Sequence, residues 1–164
     1  MLSTENLVVA NSFITCVNAS TSRVDVARLL ATAEFAFTAL RLNARTKLDI
    51  KCVTLAEMER LHIIHMDEPG ATDVLSFPMD ELRAPADDEI APAGELGDII
   101  LCPDFAAPQA STAGHSLEDE LDLLLIHGIL HCLGHDHAEP EEHAVMFGLQ
   151  DELLSALKEE RGAL

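Results

Sequence analysis

From Leu121 to Leu133 the chain runs LDLLLIHGILHCL, a stretch so apolar that a helix built from it must be buried on nearly every side. Ser116 with Asp119 supplies an opening cap for such a helix, and Gly134 supplies its end. A helix of this kind constrains everything else, because other elements have to surround it. It also carries His127 and His131. An unsatisfied buried polar group costs about 1–3 kcal/mol, so each imidazole needs a partner.

The two histidines are four residues apart, which places them on one helix face with Cβ atoms about 5–6 Å apart. From that separation two imidazoles can converge on one zinc ion with bonds of about 2.0–2.1 Å. Gly134 permits the left-handed turn that swings the chain back, so His137 arrives as a third ligand from outside the helix. Three protein ligands leave the fourth position open, the arrangement of a catalytic rather than a structural site. A single zinc ion is therefore expected on His127, His131 and His137, although nickel, copper and iron suit the same donors.

The spacing HxxxHxxGxxH is also that of zinc proteases, which place a glutamate after the first histidine as general base. This chain has Gly128 there. Peptide hydrolysis is thereby disfavoured, and phosphodiester hydrolysis, which gains most from a bare cation, is preferred. The remaining candidates for catalysis near the site are weak ones: Asp136, His135 and Ser76.

The rest of the chain reads as helices interleaved with about four strands. Leu7–Asn11, Lys47–Val53, Val74–Phe77 and Asp98–Cys102 are the strand candidates. Apolar residues recur at helical spacing from about Val24 to Leu42. Thr54 and Glu57 form a capping box for a second helix. Glu139–Lys158 is a last amphipathic helix, with Met146, Leu149, Leu153 and Leu157 on its buried face. Residues 80–95 form an acidic loop rich in Pro and Ala. At 164 residues and 48% apolar content this is one α/β (α+β) domain, residues 1–164, around a mixed sheet.

Four scattered cysteines without a CxxC pair fit reduced thiols in the cytoplasm. No signal peptide or membrane span is expected. The formal charge of −19 argues against a nucleic-acid partner in the far field. Screening limits that objection, since the Debye length is about 8 Å at physiological salt. Arg41, Arg45, Lys47 and Lys51 make the one cationic cluster along the sequence.

Three segments resemble one known family. HGILHCLGHDH (127–137) is similar to the HGxLHLxGYDH signature of the YbeY endoribonucleases, and Thr72–Pro78 and Leu96–Pro103 resemble that family's TDVLSFP and LGDIxIcp strands in the same order. The resemblance runs from about residue 46 to 157. It implies zinc-dependent, single-strand-specific RNA cleavage in 16S rRNA 3′-end maturation and ribosome quality control. It implies a mixed four-stranded sheet with about five helices, and it carries the metal ligands onto His127, His131 and His137. Ribosomal RNA and the ribosome are the implied partners, with ribosomal or GTPase assembly proteins as further candidates, and neither DNA nor a membrane. The alternatives are a zinc peptidase lacking its glutamate base and a non-catalytic ribosome-associated metalloprotein.

Three positions depart from the family pattern. His62 and Met66 stand where the family often has Asn and Arg, and His135 stands where it usually has Tyr. The missing Arg leaves the phosphate-contacting residue unassigned. His135 is placed to be a fourth ligand, and His62 reads as a helix-surface histidine, as do His65, His115 and His143. Ser76 and Asp98 lie on strands that the family packs near the metal helix.

Overall fold

Why each helix starts where it does is visible in its first turn. In the computed structural model, which describes residues 7–162, Asp25, Thr54 and Ser116 each turn a side-chain oxygen onto the backbone N–H three residues ahead. These caps satisfy donors that have no partner inside a helix. They open α1 (Val26–Ala39), α2 (Leu55–Met66) and α4 (Leu117–Cys132). Two further helices complete the set, α3 (Pro103–Ala113) and α5 (Pro140–Gly162), and each begins on a proline, whose missing N–H costs nothing at that position. The resemblance implied five helices, but the spacing of apolar residues had left α3 unread. Its sequence, PDFAAPQASTA, holds an internal Pro108 and few large apolar residues.

The strands are β1 (Leu7–Ala10), β2 (Ile14–Asn18), β3 (Lys47–Cys52), β4 (Val74–Pro78) and β5 (Glu95–Leu101). They form one mixed sheet in the order β1-β2-β3-β5-β4. All four expected strands are present, and β2 joins them as a fifth. The pairs β2–β3 and β3–β5 are parallel, while β1–β2 and β4–β5 are antiparallel. β5 begins three residues earlier than its apolar run, and its register with β3 shifts at Lys47/Leu48. Gly97 sits at that irregularity with φ 146°, and an added Cβ there would strike the carbonyl oxygen of Phe77 on β4. Only glycine lets the two strands approach so closely.

One sheet face carries Cys16, Leu48, Ile50, Ile99 and Leu101 against α1, α4 and α5. On the other face Leu75 meets Val53, Met58 of α2 and Cys102. α4 runs through the middle of the larger core. Leu121, Leu125, Ile126, Ile129 and Leu130 are all essentially inaccessible, which is the all-round burial that its composition demands. All four cysteines are free and buried, and burial pushes the Cys16 and Cys132 thiols up to about 12. Among the described residues no helix is long and apolar enough to cross a membrane.

Polar pins hold the three helices together at the N-terminal half of α4. Asp122, 2% exposed, accepts from Nε and Nη2 of Arg28 at 3.0 and 2.8 Å, from Nη1 of Arg161 at 2.6 Å, and from the Thr32 hydroxyl at 2.7 Å. Arg161 Nη2 also donates to Thr32 Oγ1 at 2.8 Å. α1, α4 and α5 thus meet on one carboxylate. Removing the centre of such a network leaves two part-buried arginines without the buried carboxylate they share. Asp122→Ala is expected to lower unfolding stability by about 3 kcal/mol, read as a lower urea midpoint at unchanged slope. A loss below about 1 kcal/mol would show that the network does not anchor these helices.

Candidate metal centre

The end of α4 is built so that a third histidine folds back over the first two. The helix closes with Leu133 N–H donating to the Ile129 carbonyl, and Gly134 then turns with φ 93°. The His135 N–H reaches back to the Leu130 carbonyl at 3.0 Å, which locks the turn. Asp136 Oδ1 accepts from the His137 N–H at 2.7 Å and directs the chain into the approach to α5.

His127, His131 and His137 come together as the spacing predicts. Ring centroids lie 4.7 Å apart for His127–His131, 5.2 Å for His131–His137 and 5.6 Å for His127–His137. Their ligand atoms all fall within 4.8 Å of one another. Burial, then the neighbouring imidazoles, depresses the His131 pKa; burial depresses that of His127 too, against an opposing hydrogen bond from Gln150. Both are thus biased to the neutral form that a metal requires. His127 Nδ1 lies 2.8 Å from Gln150 Oε1. A carboxamide oxygen only accepts, so Nδ1 carries the proton and Nε2 keeps its lone pair free for an ion. The donor set therefore fits a divalent metal that prefers imidazole, with no change of backbone.

Gln150 went unnoticed in the sequence, yet a signal was there. It occupies the buried stripe of α5 formed by Met146, Leu153 and Leu157 and is itself 3% exposed. A polar residue inside an apolar stripe is the informative exception. Phe147, one residue before Gly148, also contributes, with its ring 5.6 Å from that of His127 and stacked at 4.2 Å on His143.

A recess of about 400 Å³ opens on the three histidines and is walled by Met66, Thr72, Asp73, Val74, Leu75, Ser76 and Pro78. Of the weak catalytic candidates, Ser76 is the one in this recess. Asp136 and His135 line a different depression with Glu141, Glu142 and Val145. Asp136 acts on the centre through its bond to the His137 N–H and through its charge, which partly offsets the depressed pKa of His131. His135 lies outside the cluster of ligand atoms. Asp98 points to the opposite sheet face, where burial and then Asp49 beside it raise its pKa. None of Arg41, Arg45, Lys47 and Lys51 lines the recess.

Two of the histidines expected at the surface are in fact structural. His62 is half-buried, with Nδ1 3.0 Å from the Gly70 carbonyl and Nε2 3.3 Å from Glu68, and it ties the end of α2 to the turn before β4. His115 is half-buried and pairs with Glu120 at 2.6 Å. His65 and His143 are exposed.

Residues 16–158 match the family model described as Endoribonuclease YbeY. The chain belongs to the endoribonuclease YbeY family. It is 53% identical over 137 residues to the endoribonuclease YbeY of Leifsonia xyli subsp. xyli, covering 84% of this chain and 90% of that one. With the Nocardioides sp. protein of the same name it shares 52% over 143 residues, covering 87% and 96%. The solution structure of TM1509 from Thermotoga maritima has the same fold, with a TM-score of 0.61 at 24% identity over 87% of this chain and 89% of that one.

Family membership and geometry agree on Gly128. A Cβ at this position would lie 3.0 Å from Ile99 Cγ2 and 3.1 Å from Ser76 Oγ, so α4 rests directly on β4 and β5 here. There is no space for the glutamate that a peptidase of this spacing would need. Gly128→Glu is expected to destabilise the fold by about 3 kcal/mol or more, through overpacking and a buried carboxylate, read as a fall in Tm. A stable Gly128→Glu protein would mean that the helix and sheet can separate at this point.

Proposed function

We propose that this member of the family cuts single-stranded ribosomal RNA, with one zinc ion held by His127, His131 and His137. The observation that supports it most is the trio of converging imidazoles, two of them biased toward the neutral form and carried by a helix with no room for a peptidase base. A bound divalent ion supplies Lewis-acid stabilisation for the charge that develops on the phosphate. The chain's own residues do the rest. Gln150 fixes the tautomer and the angle of the His127 ring. Ser76 offers a hydroxyl to a phosphate oxygen in the recess, a donor that needs no charge. Met66 and Pro78 give the recess an apolar rim that limits water around the reacting group.

The cellular setting follows from this substrate. We place the reaction in the cytoplasm, on 16S rRNA 3′-end maturation and ribosome quality control, with ribosomal or GTPase assembly proteins as partners. We read residues 1–164 as a single domain, a reading supported by the packing of both hydrophobic clusters of the described residues on one sheet.

The direct test compares metal-loaded protein, a chelated sample and His131→Ala on matched single- and double-stranded RNA. Cleavage confined to single strands, one equivalent of zinc, and loss of both metal and cleavage in the variant are the expected results. Equal cleavage by His131→Ala would reject the reading. Gln150→Leu, which leaves the three ligands in place, is expected to weaken metal affinity about 10–100-fold by titration against a chelator. Unchanged affinity would mean that the His127–Gln150 bond does not tune the site.

A further inference from the structure

Arg83 lies on the turn that joins His131 to His137. Its Nε and Nη2 stand 2.6 and 2.8 Å from where a Cβ on Gly134 would be, so the guanidinium covers that glycine. The backbone that carries it is pinned on both sides. Asp80 N–H donates to the Glu95 carbonyl at 2.9 Å, and Asp80 Oδ2 accepts from the Glu95 N–H at 2.8 Å. Leu82 and Ala84 pack against the main core, and Arg41 Nη2 donates to the Pro85 carbonyl at 2.9 Å. An exposed side chain on so fixed a backbone has less freedom to lose when it binds something. Its own loop holds Asp80, Glu81, Asp87, Asp88 and Glu89. Among the described residues, however, Arg83 forms no ion pair. Of its nitrogens only Nη1 has a protein acceptor, the Leu82 carbonyl at 2.7 Å. The partial negative charge at the end of α4 accounts for its seat over Gly134, but leaves the N–H groups of Nε and Nη2 unused.

The position of Arg83 relative to the histidines supplies the other half of the argument. Val74, Ser76 and Pro78 of β4 wall the recess, and Gly128 of α4 meets Ser76. Six residues further along, the end of α4 reaches Gly134 and Arg83, about 9 Å away at the rise of a helix, with His131 about halfway. Arg83 therefore stands outside the recess, at the end where β4 and α4 both run out. We propose that Arg83 binds the backbone phosphate adjoining the one at the histidine centre, where a single RNA strand leaves the recess past Pro78. This role rests on the endoribonuclease reading of the histidines. A guanidinium is a planar fork of N–H donors that matches a phosphate, and it keeps its charge at any working pH. Such a contact fixes the register of the strand and carries no preference for a base. It also places one fixed cation on the strand's path in a chain of net charge −19, at short range where screening is weak.

The test neutralises the two partners separately and together. Short single-stranded RNAs, each with one phosphate replaced by an uncharged methylphosphonate, are titrated into zinc-loaded protein at low temperature, before cleavage proceeds. In wild type, neutralising one particular phosphate should weaken binding about three- to tenfold through loss of Arg83. In Arg83→Gln the same replacement should cost nothing further, which is the signature of a direct pair. Unmodified RNA should bind Arg83→Gln more weakly by the same factor whatever its sequence. The slope of log affinity against log salt should shrink by about 0.7, the value of one phosphate on a single strand, and Arg83→Lys should keep the slope. Arg23→Gln removes an equal charge from an exposed residue just before α1, and should leave the cost of that phosphate unchanged. Losses that simply add in Arg83→Gln would overturn the contact. So would weaker zinc binding in Arg83→Gln with an unchanged salt slope, because Arg83 would then only brace the turn between the histidines. Coupled losses without any RNA cleavage would support the contact and reject the catalytic reading, while cleavage with additive losses would do the reverse.

Discussion

Helix α4 can lie on the sheet as closely as it does because position 128 has no side chain. Ile99 Cγ2 and Ser76 Oγ lie 3.0 and 3.1 Å from where a Cβ would be, so the helix comes down closely on β4 and β5 at this glycine. Close approach there sets the height of His127 and His131 above the sheet and brings β4 up to form the wall of the histidine recess. Ser76 therefore has two consequences from one contact. It packs against the helix at Gly128, and it places a hydroxyl beside the three imidazoles. The residue that removes a protease base from this chain is the same one that builds its recess.

Charge is arranged with similar economy. The chain carries −19 overall, and several of its ten basic residues are already engaged: Arg28 and Arg161 with Asp122, Arg60 with Glu57. Met66 lines the recess and brings no charge to it. Arg83, from the loop after β4, packs against the turn at Gly134, with Nε 2.6 Å from where a Cβ there would be, and does not line the recess. With so little fixed positive charge around the recess, an ion on the histidines would be the dominant local cation, and it would act on a phosphate at short range where screening is weak.

The parts legible in the sequence were those with a strong periodic or geometric signature. The histidine spacing needed only helix geometry and one glycine. The Thr54 and Ser116 hydroxyls accept from the Glu57 and Asp119 N–H groups as their spacing implied, while the Glu57 carboxylate takes Arg60 instead of closing a capping box. β2 was missed because ITCVN mixes small and polar residues, and its inward positions, Ile14, Cys16 and Asn18, include an asparagine buried by local turn bonds. α3 was missed because its stability comes from packing rather than propensity: Ala106 and Ala110 are buried, and little else along it is large and apolar. Gln150 belongs to a third class. Its place in the apolar stripe of α5 marks it as an exception, but its partner His127 lies on α4, so no local window shows what it does. The faces of α2 show the same limit, since a histidine at position 62 looks exposed until the turn at Gly70 folds over it.

The two ends of α4 are chemically opposite, and this polarity links stability to the site. Glu118, Asp119 and Glu120 occupy its first turn, where the helix presents unpaired N–H groups and partial positive charge. Asp122, one turn further on, pins α1 and α5 to that end. The histidines occupy the last turns, where partial negative charge favours a cation by about 0.3–1 kcal/mol, more when partly buried. α5 closes the arrangement, because Arg161 holds the acidic end while Gln150 holds His127. A shift of α5 along α4 would disturb both contacts together. The salt-bridge network therefore does more than stabilise the fold: it sets the register in which Gln150 meets the metal-binding face.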